Sequence, residues 1–384
     1  MKQSLTIASF LILIFTLTNS CQKEDLQTDP PLSEITAKNS TQKPVSQSGY
    51  SLDPNPTQLQ VYGVWHAGND YCTWSTVRNM TDFDLKNHWV IDRGDGNPSV
   101  NLVILSFVNP LKLLNNTSID TPLNGIPIGM NSDIVNYFKI RGIRVMLSIG
   151  GITYTKDWNT ALTQNATQLG KNAAIVAKAL GVGIEIDYEE SSSPNLVGLQ
   201  NFITAYRQEL PYDASGNNHA ARLTIDLAAG DRWLIGICAK ATTDWLRPDL
   251  SVLDYANAMV PSRQPSASEA ITNWDEHIDG KPQYVPKIPP LAPCKFTGSL
   301  YMSGSQIIPE CNNFTSSITY LDRDYVTRIM PNGAGTTSGM LGYMFWAAEC
   351  NSTRQVCTTD CKGGIGEGAK FFNIPIPMTA LRQN

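Results

Sequence analysis

The sequence predicts an α/β protein whose single domain is a TIM (β/α)8 barrel. Short apolar runs rich in β-formers alternate with segments of helical periodicity, as expected for strands joined by helical crossovers. The 384 residues can bury one large core but not two full-sized domains with a linker. A doubly wound open sheet is the alternative, but no Gly-x-Gly-x-x-Gly follows the first strand.

Eight strands are predicted in chain order. Each is a short apolar run bounded by polar residues, glycine or proline, and the crossovers between them favour a parallel barrel. The predicted strands are residues 60–65, 101–109, 143–150, 182–188, 222–228, 252–260, 295–302 and 342–347.

The strongest helical pattern lies between the third and fourth strands. Its apolar residues recur at steps of three and four and form one face that can pack on a sheet. Asp157 suits the positive end of the helix dipole, and Gly181 can adopt the left-handed conformation that ends a helix. Further helices are predicted at residues 132–140, 196–210, 267–277 and 321–329.

The N-terminus has the features of an export signal. Lys2 precedes an apolar stretch, residues 5–17, that is short for a membrane span. The segment LTNSC, ending at Cys21, resembles the lipobox of bacterial lipoproteins, in which the cysteine is acylated. We therefore predict a signal peptide at 1–20, lipid attachment at Cys21, a flexible polar tether at 21–56 and the barrel at 57–384. An ordinary signal peptide is the alternative.

The polar, acidic residues after Cys21 resemble sequences that send bacterial lipoproteins to the outer face of the outer membrane. The resemblance implies an outer-membrane lipoprotein exposed at the cell surface, with a periplasm-facing location as the alternative. The formal net charge of −5 and the lack of a basic tract argue against nucleic acid as a partner. We expect a monomer.

The cysteines and histidines do not suggest a metal site. Seven cysteines remain besides Cys21, so at least one should stay unpaired in a monomer. No Cys-x-x-Cys occurs, and the four histidines are isolated in sequence. We predict no metal and no other cofactor.

The most informative segment is the fourth strand, residues 182–190, VGIEIDYEE. Side chains alternate along a strand, so Glu185, Asp187 and Glu189 share one face, and in a barrel that face points inward. Three acids in a confined site repel one another, an arrangement that costs stability and favours a catalytic interpretation. A half-exposed antiparallel strand and a calcium site are the alternatives.

This strand resembles the Asp-x-x-Asp-x-Asp-x-Glu signature of family 18 glycoside hydrolases, which include chitinases and endo-β-N-acetylglucosaminidases. On the third strand, Ser148, Gly150 and Gly151 match the Ser-x-Gly-Gly element of that family, and this match implies that the two glycines bind substrate. Trp346 on the eighth strand is similar to the tryptophan under the family's sugar subsite. The matches span roughly residues 60–350, in the order expected if all strands contribute to one barrel mouth.

The resemblance implies a retaining, substrate-assisted mechanism in which the substrate's own acetamido oxygen is the nucleophile. Glu189 would protonate the leaving oxygen, Asp187 would orient the acetamide, and Glu185 would hold Asp187 by sharing a proton. The implied substrate contains GlcNAc-β-1,4 linkages, either in the chitobiose core of N-glycans or in chitin oligosaccharides.

Two parts of the pattern depart from the family. Val182 stands where the first aspartate is expected, and Glu185 is one methylene longer than the second. On the sixth strand, Tyr255, Asn257 and Met259 share one face and stand where the family has a Met-x-Tyr or Gln-x-Tyr pair. We predict that all three bind substrate, with Asn257 as the polar contact. A non-catalytic surface lectin on the same barrel is the alternative function.

Four residues near the ends of the first two strands are further candidates for lining the pocket, with ordinary packing as the alternative. They are Tyr62, Trp65, Phe107 and Asn109.

Overall fold

The computed structural model describes residues 60–67, 80–116, 125–228, 233–259, 267–301 and 340–346. Within these ranges the chain forms a closed, eight-stranded barrel in which every strand is parallel to both neighbours. The fold predicted from the sequence is therefore confirmed. The strands are β1 (Val61–Ala67), β2 (Leu102–Val108), β3 (Arg144–Gly150), β4 (Gly183–Asp187), β5 (Leu223–Ala228), β6 (Ala256–Met259), β7 (Phe296–Tyr301) and β8 (Gly342–Trp346).

Helices connect the strands on the outside of the barrel. They are α1 (Met80–Ile91), α2 (Pro110–Asn115), α3 (Ser132–Lys139), α4 (Thr155–Leu180), α5 (Leu196–Glu209), α6 (Ile235–Lys240) and α7 (Ala267–Asp279). A π-helical turn, Ala241–Trp245, continues α6. Three of the four further helices predicted from periodicity are thus confirmed to within two residues at each end, and the fourth, at 321–329, lies outside the described residues.

The longest helix, α4, covers the predicted apolar pattern and ends where the sequence indicated. Gly181 caps it in the left-handed conformation, with φ 63° and ψ 44°. The sequence did not predict the kink at Asn165, whose φ of −165° and ψ of 77° are not helical.

Alternation along the strands divides the core into two layers. Ile184 and Ile186 of β4 point outward into the large layer between barrel and helices. A smaller apolar cluster inside the barrel includes Trp65, Tyr255 and Met344. Because the inner cluster is small, polar side chains of β3 to β7 fill much of the remaining interior.

Several predictions lie outside the described residues. These include the signal peptide at 1–20, Cys21 and the tether at 21–56. Among the helices that the structure does describe, none is both long and apolar enough to cross a bilayer. Cys294 is a free thiol, in agreement with the expectation of at least one unpaired cysteine.

Candidate active site

Glu185 is the centre of a buried polar network inside the barrel. Its Oε1 accepts a hydrogen bond from Trp65 Nε1 at 2.9 Å, and its Oε2 accepts one from Asn257 Nδ2 at 2.5 Å. Asn257 is held in turn by Thr297, whose Oγ1 donates to Asn257 Oδ1 at 2.6 Å. The fourth strand therefore points its acids inward, and β1, β6 and β7 all contribute to their environment.

Asp187 and Glu189 follow Glu185 toward the carboxyl ends of the strands. Asp187 is 4% exposed and Glu189 is 8% exposed, and their side chains are hydrogen-bonded to each other. Asp187 Oδ1 has no hydrogen-bond partner among the described residues. The two acids nearest the barrel mouth thus form a pair in which one buried oxygen has no partner among the described residues.

Burial and mutual repulsion change how these acids titrate. Burial raises the pKa of Glu185, while contacts with Trp65, Ser148, Asp226 and Asn257 oppose that rise. The pKa of Asp187 lies well above its ordinary value because of burial and then the charges of Glu189 and Glu185. Asp187 and Glu189 therefore share one proton.

Asp226 on β5 is a fourth acid of this group and was not predicted from the sequence. It is 4% exposed, and its register partner on β6 is Asn257, so both side chains face the barrel interior. Burial and then the charges of Glu185 and Asp187 place the pKa of Asp226 well above the ordinary value. Alternation along the predicted strand 222–228 was the available signal, because it places residue 226 on one face with 222 and 224.

Two glycines at the end of β3 allow the acidic strand to come close. Gly150 has a φ of +124°, and a Cβ there would lie 1.8 Å from the carbonyl oxygen of Asp187. The N–H of Gly151 donates to that same oxygen at 2.9 Å, and Trp158 Nε1 donates to it at 3.1 Å. Gly150 and Gly151 thus position the backbone of Asp187, and their contact with substrate stays a prediction.

Aromatic rings form one wall beside the acids. Trp346 is the last residue of β8, and its ring centroid lies 5.6 Å from that of Phe107 and 6.4 Å from that of Trp65. The ladder between β2 and β3 shifts register at Phe107, and the Ser106–Phe107 peptide bond is cis. Trp346 is only partly buried, so part of its surface reaches solvent.

The structure corrects two of the predicted pocket residues. Tyr62 faces outward, into the layer beneath the helices, where it packs edge-on against Phe345 at 5.0 Å. It lies three residues before Trp65 and so has the opposite orientation on β1. Asn109 caps α2, because its Oδ1 accepts from the N–H groups of Leu111 and Lys112, and its amide donates to Asp157.

The remaining candidates on β6 lie at different depths. Tyr255 and Asn257 are both fully buried, Tyr255 within the inner apolar cluster, and their expected contacts with substrate stay predictions. Met259, the last residue of β6, is partly buried. Val182 is fully buried just before β4, at the opposite end of the strand from Glu189. Within the described ranges, no three His, Cys, Asp or Glu side chains form a group that could hold a metal ion.

No family model and no curated protein matches the sequence. Solved structures with a similar fold include a class V chitinase from Nicotiana tobaccum, at 14% identity and a TM-score of 0.41, covering 82% of this chain and 99% of that chain. A chitinase from Rhizomucor miehei matches at 12% identity and a TM-score of 0.44, covering 80% and 99%. An endo-β-N-acetylglucosaminidase from Cordyceps militaris matches at 13% and 0.42, covering 82% and 91%. At these identities the similarity concerns the fold.

Proposed function

We propose that this protein is a glycoside hydrolase of the family 18 type that cleaves GlcNAc-β-1,4 linkages with retention of configuration. The observation that carries the proposal is the buried, hydrogen-bonded pair of Asp187 and Glu189 at the carboxyl end of β4. Catalytic residues of TIM barrels lie at this end of the strands. Within the described part of the chain, no Lys or Arg forms an ion pair with Asp187.

In the proposed reaction, Glu189 donates the proton that it shares with Asp187 to the glycosidic oxygen as the bond between C1 and that oxygen breaks, which leaves Asp187 ionised. The carbonyl oxygen of the substrate's 2-acetamido group forms a new bond to C1 and gives a cyclic oxazolinium ion. Water then attacks C1, Glu189 accepts the proton of that water, and the ring opens to release the sugar with its original β-configuration. The protein supplies one acid and no nucleophile.

Asp187 suits the role of orienting the acetamide. Its Oδ1 is buried without a partner in the described residues, and its neighbour Glu189 is the proposed proton donor. A carboxyl group at this position can accept a hydrogen bond from the acetamide N–H and stabilise the positive charge on the cyclic intermediate. Trp346 and Phe107 form an aromatic surface suited to the face of a sugar ring.

The substrate class leaves two candidates, the chitobiose core of N-glycans and chitin oligosaccharides. A single domain on a predicted lipid tether favours soluble or host glycoproteins over crystalline chitin. Tyr188, which differs from the tryptophan frequent in chitinases, packs on Trp158 and binds the N–H of Asn195, so it bears on packing. We therefore place N-glycans first on the basis of the tether alone.

The deciding experiment incubates the purified protein with chitin oligosaccharides and, separately, with a high-mannose glycoprotein, and measures new reducing ends. Cleavage of either supports the hydrolase, and the substrate cut faster fixes the class. A lectin on the same barrel, favoured by the altered Val182 and Glu185, would bind both and cut neither.

We also propose that the mature protein is an outer-membrane lipoprotein exposed at the cell surface, anchored through Cys21. The support is the LTNSC segment and the polar residues that follow it. Replacing Cys21→Ser should release the protein from membranes and leave the barrel's activity unchanged. Equal membrane association of the variant and the parent would contradict the anchor.

A further inference from the structure

We propose that Asp226 shares a proton with Glu185 and thereby positions Glu185 and, through it, Asp187. This inference rests on the proposed hydrolase function, since it assigns a positioning residue to that site. The family pattern from which the site was identified places its acids on one strand. In this chain the apolar Val182 occupies one of those positions, and Asp226 supplies an acid from the neighbouring strand.

The geometry places Asp226 beside Glu185. In the parallel ladder, Glu185 pairs with Thr224, two residues before Asp226 on the same face of β5. Asp226 pairs with Asn257, whose amide already donates to Glu185 Oε2. The carboxyl groups of Asp226 and Glu185 are hydrogen-bonded to each other. Such a bond needs one proton, so one of the two must be a carboxylic acid.

The surroundings decide which acid holds that proton. Glu185 accepts from two fixed donors, Trp65 Nε1 and Asn257 Nδ2, which favour its charged form. Asp226 Oδ1 has no partner among the described residues, and Asp226 faces the charges of β4. These conditions favour a protonated Asp226 that donates to an anionic Glu185.

The charged groups around this pair are mainly acidic. From β4 they are Glu185, Asp187 and Glu189. The adjacent β6 contributes Tyr255, whose pKa is raised by burial and which is influenced by the charges of Arg222, Glu185 and Arg144. No ion pair joins Asp226 to any Lys or Arg in the described ranges. An anionic Glu185 thus raises the pKa of Asp187 and favours the protonated form that binds Glu189.

Two substitutions separate proton donation from packing. Asp226→Asn keeps the size of the side chain and an N–H donor for Glu185, so kcat and the position of the pH–rate profile should stay close to those of the parent. Asp226→Ala removes the donor, so Glu185 takes up a proton and Asp187 loses the nearby charge. We expect kcat to fall by at least about 10-fold and the basic limb of the profile to move to lower pH.

Thr224→Val is the matched control. Thr224 is buried on the same face of β5, and its hydroxyl has no partner among the described residues. Its variant should keep the parental rate and profile. Equal loss in the Asn and Ala variants, or a parental profile in the Ala variant, would overturn the assignment, because a packing defect alone lowers kcat in the Ala variant without moving its pH–rate profile.

A second measurement does not depend on activity. A folded-state pKa of Asp226 above the unfolded value of about 3.9 means that the folded protein binds more protons, so its stability falls as pH rises from about 4. Because asparagine does not titrate, the Asp226→Asn variant should not lose stability in this way as pH rises. The thermal midpoint of Asp226→Asn minus that of the parent should therefore increase between pH 4 and pH 9.

The two measurements separate the two proposals. A constant difference in midpoint would refute proton sharing whatever the protein does to glycans. A rising difference in a protein that never cuts GlcNAc linkages would support proton sharing and refute the hydrolase.

Discussion

The two ends of the barrel differ in how their buried charged groups are arranged. At the carboxyl end of the strands, Glu185, Asp187 and Asp226 lie together, and their hydrogen-bonding neighbours are uncharged donors or other acids. At the amino end, Arg222 forms an ion pair with Asp254 at 3.7 Å. One end accumulates charge of one sign, and the other pairs opposite signs.

The amino end is built around Asp254. Its Oδ2 accepts from Arg207 Nη2 at 3.1 Å and from the N–H of Leu223 at 2.8 Å. Nearby, Lys295 Nζ donates to the carbonyl of Leu253 at 3.2 Å. These contacts connect α5 and β5 to the segments that precede β6 and β7. They therefore contribute to the stability of the fold.

The difference between the two ends indicates where the protein loses stability for the sake of function. Uncompensated buried acids destabilise a fold, whereas balanced pairs hold strands in register. Removing an acid should therefore mainly alter activity at the carboxyl end and mainly alter stability at the amino end. Each of the following changes tests one side of that contrast.

The largest effect is expected for Glu189→Gln. Glutamine keeps the size and hydrogen bonding of the side chain but cannot donate a proton to the leaving oxygen. Turnover should fall by roughly 10²- to 10⁴-fold, the range typical of lost general acid catalysis. Initial rates of reducing-end release measure it, with glycan affinity and thermal midpoint expected to be unchanged. Parental turnover would remove Glu189 from the mechanism.

At the amino end, Asp254→Ala should mainly affect stability. It leaves Arg207 and Arg222 without their shared carboxylate, and removing one partner of a buried pair costs about 3–5 kcal/mol of unfolding free energy. Urea denaturation measures the loss. The kcat per folded molecule should match that of the parent, and a selective fall in kcat would mean that the two ends are coupled.

A smaller change at the acid end is Trp65→Phe, which keeps an aromatic ring but removes the Nε1–H donor to Glu185. A hydrogen bond to a charged group contributes about 1.5–3 kcal/mol. That bond lowers the pKa of Glu185, so its loss should destabilise the protein most where Glu185 is ionised and least in acid. Denaturation at several pH values tests this, and a pH-independent loss would indicate packing alone.

The fold could be predicted because its signals are local. Alternation on β4 correctly turned Ile184 and Ile186 toward the helices and Glu185 toward the interior, and the helical period located α4. The kink at Asn165 was missed because the apolar face continues through it without interruption.

The site was predicted less completely because its contacts join distant strands. Asp226 lies on a predicted strand, yet only the register between β5 and β6 reveals that it meets Glu185 through Asn257. The prediction that Tyr62 lines the pocket was wrong. Tyr62 and Trp65 are three residues apart on one strand, so alternation places them on opposite faces and only Trp65 points inward. Asn109 directly precedes Pro110, a pattern typical of a helix N-terminus, so its role as the cap of α2 could have been predicted from the sequence.

The smallest expected effect concerns His219, which lies before β5 at the amino end. Burial and then the charges of Arg144 and Arg222 lower the pKa of His219 to about 4. Below about pH 6.5 His219 is therefore protonated in the unfolded chain but not in the folded protein. The stability of the folded protein should fall as pH drops from 6.5 toward 4. This is the opposite sign to that expected for Asp226.

His219→Gln removes the titration, so its thermal midpoint relative to the parent should rise as pH falls. The rise should be no more than about 2–4 °C, because His219 is only partly buried and solvent screens its neighbours. A midpoint difference that stays constant from pH 7 to pH 4 would show that the cations of the amino end do not act on His219, and that the contrast between the ends rests on the acids alone.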